Sequence, residues 1–233
     1  MMRRMAIMMC IMLIALQGWG AATRITLANG IISYVDEDGQ RKRIAVGKKC
    51  ADLWSAPDGS VIAFIAINKA EADTVEPFIE ESTIYIARER DKFKPTPVIV
   101  RPTIGDHTWE VGRQPSISRD FKTLFFSVPG TTTSWKLMST SLPPSAYTFI
   151  GDVDSYCVVW GGAHDGDLLL QSRRDTQASR PRQGVTYPCY LRTKAGDLTA
   201  VANEGECWNF GEFATRWGRE HGGSCQQPWL GTN

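Results

Sequence analysis

Histidines, cysteines and closely spaced carboxylates are the residues with which this chain could do chemistry, and none of them falls into a pattern that names a reaction. Three histidines, His107, His164 and His221, are spread along the sequence without HExxH or another metal-binding spacing. There is no GxSxG elbow, no GxxxxGK(S/T) loop and no GxGxxG after a strand. His164 stands beside Asp165, a base next to a carboxylate, but neighbouring turn residues rarely face each other, so the pair reads as a turn. Asp36-Glu37-Asp38-Gly39 and Asp152-Val153-Asp154 hold carboxylates two residues apart, a spacing that can offer oxygens to Ca²⁺. Neither continues into a twelve-residue EF-hand loop, and aspartate also favours turns by bonding its own backbone. A hydrolase would have to gather separated carboxylates such as Asp36, Asp120 and Asp152, and nothing in their spacing shows that they converge. No catalytic residue, metal ligand or cofactor is assigned from the sequence.

The cysteines say more about compartment than about catalysis. Cys10 lies in an N-terminal apolar run, and Cys50, Cys157, Cys189, Cys207 and Cys225 follow. No CxxC pair occurs, which argues against structural zinc. Two disulfides and one leftover thiol are expected in an oxidising compartment. Cys207 and Cys225 bracket a predicted helix and are expected to pair, as are Cys157 and Cys189 on neighbouring strands, leaving Cys50 free. The alternative pairs Cys50 with Cys225 and locks the two ends of the chain together.

The elements that would position these residues begin after a targeting segment. Arg3 and Arg4 precede a 12-residue apolar run, Met5 to Leu16, which Gln17, Gly18 and Gly20 interrupt. That is the layout of a secretory signal, expected to span residues 1–22 with cleavage after Gly20 or Ala22. The run is too short for a bilayer, which takes roughly 20 apolar residues. Without Arg3 and Arg4, 24 Lys and Arg face 25 Asp and Glu, a balance that argues against a nucleic-acid-binding surface. A periplasmic or secreted protein without a membrane span is expected.

From residue 23 the sequence reads as short strands. Apolar runs such as Val61 to Ile67 (VIAFIAI), Ser82 to Ala87, Thr123 to Val128 (TLFFSV), Tyr156 to Trp160 and Asp167 to Leu170 are rich in Ile, Val, Phe and Tyr. Asp38-Gly39, Asp58-Gly59, Pro129-Gly130, Asp165-Gly166 and Gly196-Asp197 separate them as turns. Such a layout indicates a sandwich, a barrel or a propeller. One stretch differs: from Asn209, NFGEFATRWGREHGG places Phe210, Phe213 and Trp217 on one helical face, with Asn209 as N-cap and Gly222-Gly223 as the stop.

An internal echo narrows the choice. Leu53 to Ile67 (LWSAPDGSVIAFIAI) and Pro115 to Val128 (PSISRDFKTLFFSV) share the order serine, aspartate turn, apolar strand, and Trp160 to Ser172 repeats the turn and strand. Ile32 to Ile44 and Leu191 to Val201 each read as a hairpin closing such a unit. These motifs resemble the TolB-like, or PD40, β-propeller repeat, with Ser55-Ala56-Pro57-Asp58-Gly59 the nearest match to its Ser-Pro-Asp-Gly turn. The resemblance implies an all-β propeller-like fold of about four to five blades over residues 23–206, followed by a C-terminal helical appendage over 207–233. The 62-residue interval between Asp58 and Asp120, against 45 between Asp120 and Asp165, requires an insertion, expected at Lys69 to Glu81.

Seven tryptophans lie beyond the signal. Trp54 and Trp160 are expected to pack between blades. Trp208, Trp217 and Trp229, together with Arg173, Arg174, Arg180 and Arg182 of a polar loop, are candidates for a binding surface, against packing of the helix and a solvated loop. The expected function is a non-enzymatic binding module. The resemblance implies a protein, peptide or glycan partner in a bacterial envelope or outside the cell. The alternatives are an exported carbohydrate-active hydrolase or lyase with carboxylates in a central channel, and a periplasmic inhibitor or immunity-type protein.

Overall fold

Runs of β-branched and aromatic residues bounded by aspartate and glycine turns pair with their neighbours in the chain, and the result is four antiparallel sheets in succession. The computed structural model describes residues 25–70, 79–104, 107–110, 112–130, 135–172, 174–175, 185–203 and 205–227. The expected signal segment lies outside them. The first sheet holds β1 (Ile25–Ala28), β2 (Ile31–Val35) and β3 (Arg41–Ile44), and the second β4 (Cys50–Ser55), β5 (Val61–Ala70), β6 (Ile79–Arg88) and β7 (Thr96–Val98). A small hairpin, β8 (Thr103–Ile104) and β9 (His107–Thr108), leads to the third sheet: β10 (Arg113–Ile117), β11 (Thr123–Pro129), β12 (Trp135–Ser141) and β13 (Tyr147–Val153).

The fourth sheet is the largest. It contains β14 (Ser155–Trp160) and β15 (Leu168–Gln171), then, after a short ladder of β16 (Arg174–Asp175) and β17 (Val185–Thr186), β18 (Cys189–Arg192) and β19 (Leu198–Ala202). The chain next forms the helix α1 (Phe210–Glu220) and returns as β20 (Ser224–Gln226), which pairs with β14. The strand order is therefore β19-β18-β15-β14-β20. The helix starts at Asn209, whose side chain accepts a bond from the Glu212 amide, and buries Phe210, Phe213 and Trp217.

The arrangement is that of an open, propeller-like fold with four blades. The echo seen in the sequence is real: the Asp58, Asp120 and Asp165 turns each join the first two chain-consecutive strands of a sheet, β4–β5, β10–β11 and β14–β15. Asp58 Oδ1 accepts the Ser60 amide at 3.0 Å, and Asp120 Oδ1 accepts the Lys122 amide at 3.1 Å. Asp165 belongs to a longer turn and bonds back to the Gly161 amide at 2.7 Å. Of the insertion expected at Lys69 to Glu81, residues 71–78 lie outside the described residues, and the described part of the interval between Asp58 and Asp120 shows two sources of extra length. The β5 and β6 strands are ten residues each, and the β8–β9 hairpin precedes β10, whereas Asp154 alone links β13 to β14.

Burial explains the apolar runs. The second sheet is covered on both faces: Val61, Ala63 and Ile65 join a core shared with the third and fourth sheets, while Ile62 and Phe64 join Leu27, Ile32 and Ile44 of the first. A strand buried on both faces reads as a continuous apolar run, as VIAFIAI does. The fourth sheet is likewise covered twice, by the central core and by α1, whose Phe213, Ala214 and Trp217 pack on Val159, Leu169 and Leu191. The first and fourth sheets share no core cluster among the described residues.

The disulfide pairing differs from the one expected. Cys157 bonds Cys225, and Cys189 bonds Cys207, with Cys50 a buried free thiol. The physical reason is β20: it lies beside β14 with Val159 opposite Cys225, which brings the cysteine two residues along the same face of β14, Cys157, within reach. The cysteine preceding α1 then bonds β18.

Candidate binding site

The inner strands carry the residues that a catalytic centre in a channel would use, and here they hold the sheets together. Asp52 on β4 has φ 49°, at an irregularity in the β4–β5 register, and Gln114 on β10 has φ 48° at an equivalent one, 62 residues on. Asp52 is buried, accepts from Arg113 Nε and, at 2.9 Å, Nη2, and also accepts the Gln114 amide at 2.9 Å. From the fourth sheet, Tyr156 donates its hydroxyl to the Gln114 carbonyl, and Trp160 Nε1 donates to the Ile117 carbonyl at 3.1 Å. Burial pushes the Tyr156 phenol well above its usual range, so it remains a proton donor. Trp54 and Trp160, 5.7 Å apart, fill the space between the sheets, as expected for packing between blades. Sequence reasoning missed the Asp52–Arg113 pair. The signal was the repeat itself, which aligns Asp52 with Gln114.

Carboxylates proposed for hydrolysis are each occupied on a different element. Asp36 lies in the β2–β3 hairpin, where Oδ1 accepts the Asp38 and Gln40 amides at 3.1 and 2.8 Å and Oδ2 pairs with Lys42 Nζ. Asp120 accepts from Ser118 Oγ at 2.6 Å, and Asp152 faces Lys136 Nζ at 3.4 Å. The hydrogen bonds from Lys42 and Ser118 hold the Asp36 and Asp120 carboxyls below the usual carboxylate range. His164 contacts Asp167, not Asp165: its Nδ1 lies 3.1 Å from Asp167 Oδ2. Trp217 stacks on His221 at 4.1 Å, with His164 5.3 Å from the indole. No group of three His, Cys, Asp or Glu that could hold a metal occurs among the described residues.

A concave site does form, at the seam of the first and second sheets. β2 delivers Tyr34 to the face that meets the second sheet, and β3 sets Lys42 opposite it. After β6, a 3-10 turn at Glu89–Asp91 ends in two successive non-glycine residues with left-handed backbone, Lys92 (φ 53°) and Phe93 (φ 52°). Such residues cost about 1 kcal/mol or more each and persist where the surroundings over-determine them. Here the Lys92 and Phe93 amides bond to the Glu89 and Arg88 carbonyls, and Phe93 is driven under Tyr34, ring centroids 4.7 Å apart. The Tyr34 hydroxyl donates to the Lys92 carbonyl at 3.3 Å. The resulting pocket, about 250 Å³, has this aromatic pair in its lining. Four carboxylates (Asp36, Glu37, Asp38, Glu89) and two ammonium groups (Lys42, Lys92) complete its charged lining, for a formal charge of −2. The size suits one side chain or one sugar ring better than a large ligand, since small-molecule sites usually run to several hundred Å³.

The surface expected from the sequence is only partly present in the described residues. Trp208 is 76% exposed. Trp217 is buried under α1 and forms no exposed surface, because the helix needs it to cover the fourth sheet. Trp229, Arg173, Arg180 and Arg182 lie outside the described residues, and Arg174 enters the β16–β17 ladder opposite Thr186. No described helix is long and apolar enough to cross a membrane.

No protein-family model and no curated protein matches the chain. Among solved structures it is similar to the β-propeller domain of the Trilobed protease from Pyrococcus furiosus, with TM-score 0.48 and 12% identity over 77% of this chain and 52% of that one. It is similar to a chain of a nidogen/laminin complex, with TM-score 0.47 and 12% identity over 77% and 61%, respectively. A putative TolB from Agrobacterium tumefaciens aligns with TM-score 0.33 and 11% identity over 78% of each chain. The chain spans between half and two thirds of the length of the first two. At this level the likeness concerns fold alone, and the fold is an open, propeller-like succession of antiparallel sheets.

Proposed function

We propose that the protein is an exported, non-enzymatic interaction module of β-propeller type that binds a protein, peptide or glycan partner through the pocket between its first two sheets. The observation that carries this reading is the pocket's chemistry: an aromatic pair fixed by left-handed backbone, ringed by charges of both signs, with Asp36 already bonded to Lys42 and to turn amides. Aromatic faces and charged rims recognise ligands, whereas a hydrolase needs carboxylates free to exchange protons. Trp208 and the arginine loop at 173, 174, 180 and 182 are proposed as a second contact region. Two disulfides support an oxidising, periplasmic or extracellular location, as do Arg3, Arg4 and the apolar run after them.

Cross-linking capture from an envelope extract tests the reading, with wild-type protein compared with Tyr34→Ala. A partner retained by the wild type and lost by the variant is expected. Turnover of a polysaccharide or ester that vanishes in Asp36→Asn would make the protein an enzyme instead. N-terminal sequencing of the envelope form should start at Ala21 or Thr23, and a form still beginning at Met1 would contradict export by cleavage.

A further inference from the structure

Among the described residues the four sheets hold three, four, four and five strands, and hydrogen bonds show which strand has no counterpart in the first. In the β2–β3 hairpin the Asp36 amide bonds the Gln40 carbonyl at 3.0 Å and the Gly39 amide bonds the Asp36 carbonyl at 2.9 Å. The β18–β19 hairpin repeats this: the Thr193 amide bonds the Asp197 carbonyl and the Gly196 amide the Thr193 carbonyl, both at 2.9 Å. Gly39 and Gly196 both have positive φ, and the flanking pairs, Val35 with Arg41 and Arg192 with Leu198, correspond. The match makes β2 and β3 the counterparts of β18 and β19, and β1 the counterpart of β15.

β15 pairs on its other side with β14, as β5 does with β4 and β11 with β10, antiparallel each time. β1 has no such neighbour among the described residues. The strand that follows β19 in the chain, β20, does not fill the place, because it pairs with β14 and the Cys157–Cys225 bond fixes it there. The edge of β1 is also undefended. Its sequence, Ile-Thr-Leu-Ala, has no charge, proline or bulge, whereas the edge strand β3 carries Arg41, Lys42 and Arg43, and β7 carries Pro97.

We propose that the edge of β1 left unpaired among the described residues accepts an extended peptide segment of a protein partner, which pairs antiparallel with Ile25–Ala28 and completes the first sheet as its inner strand. The neighbouring residues set the segment's chemistry. On one face it meets Leu27, Ile32, Cys50 and Leu53, so alternate residues are apolar; on the other it meets exposed Thr26 and Ala28, so the intervening residues are small or polar. By analogy with β4, β10 and β14, five or six residues suffice. This rests on reading the protein as an interaction module but concerns a different surface from the pocket.

The test uses full-length, oxidised protein and a synthetic peptide with the β4 sequence, Ser replacing its Cys, beside a control with proline at its centre. Addition of the first peptide should slow exchange of the β1 amides directed away from β2 by roughly tenfold or more, and the proline peptide should not. In Thr26→Cys, a peptide with one cysteine opposite that position should be trapped as a mixed disulfide, while Arg43→Cys on the β3 edge should trap about tenfold less. No protection, equal trapping at both edges, or protection in the free protein of the β1 amides directed away from β2 would overturn the proposal. Loss of envelope capture in Tyr34→Ala would be unaffected by any of these, so the two readings fail separately.

Discussion

The two ends of this succession of sheets are finished in opposite ways. The fourth sheet is covered by an amphipathic helix, extended by a fifth strand and tied by both disulfides. Among the described residues the first has three strands, buries one face and turns Thr26, Arg41 and Arg43 away from its core. A closed propeller would cover its last sheet with its first. This chain instead caps one end with α1, in the manner of the terminal caps of repeat proteins, and the other end, among the described residues, is polar and one strand short. Stability is therefore concentrated where covalent and apolar contacts coincide, and recognition is expected where they do not.

The contrast can be broken by substitution. Trp217→Ala should remove the cap's central anchor and cost about 4 kcal/mol in urea denaturation, since it leaves a cavity between α1 and the fourth sheet. Replacing Cys157 and Cys225 by alanine should cost about 4 kcal/mol, and replacing Cys189 and Cys207 about 3, because the separations of 68 and 18 residues close loops of different size. Equal losses would mean that the bonds act on the native state instead. At the open end, Arg43→Ala should change stability by less than about 0.5 kcal/mol.

The smallest effect concerns Cys50, at the seam of the first two sheets. Burial pushes its thiol from 9.0 up to about 11, so the folded protein holds the proton more tightly than the unfolded chain. The stability this contributes is complete below pH 9 and is lost as pH rises from 9 to about 11. Cys50→Ala should flatten that decline in a denaturation series across this range.

What was legible in the sequence was local. The VIAFIAI run announced a strand, the matching aspartate turns announced repeated units, and Asn209 with Phe210, Phe213 and Trp217 announced the helix. The β2–β3 hairpin formed with Ile32 opposite Ile44 because its turn fixes the register. The disulfide pairing was not legible, since it depends on β20, three residues without an apolar run that join β14, where Gln226 lies opposite Val158, 68 residues earlier in the chain. The pocket was hidden for another reason. Lys92 and Phe93 adopt a left-handed backbone without the glycine or asparagine that usually marks it, and Phe93 meets Tyr34 only after two sheets have packed.

The Cys157–Cys225 bond also decides how the molecule would respond to tension. A load applied between the two ends of the chain passes across that bond from β14 to β20, and the intervening stretch, with β15, β18, β19 and α1 inside it, carries none of it. Unravelling under force would thus release less than the full chain. The missing length is about 240 Å, from 68 residues at about 3.6 Å each, and reduction of the bond would restore it as a second, later extension.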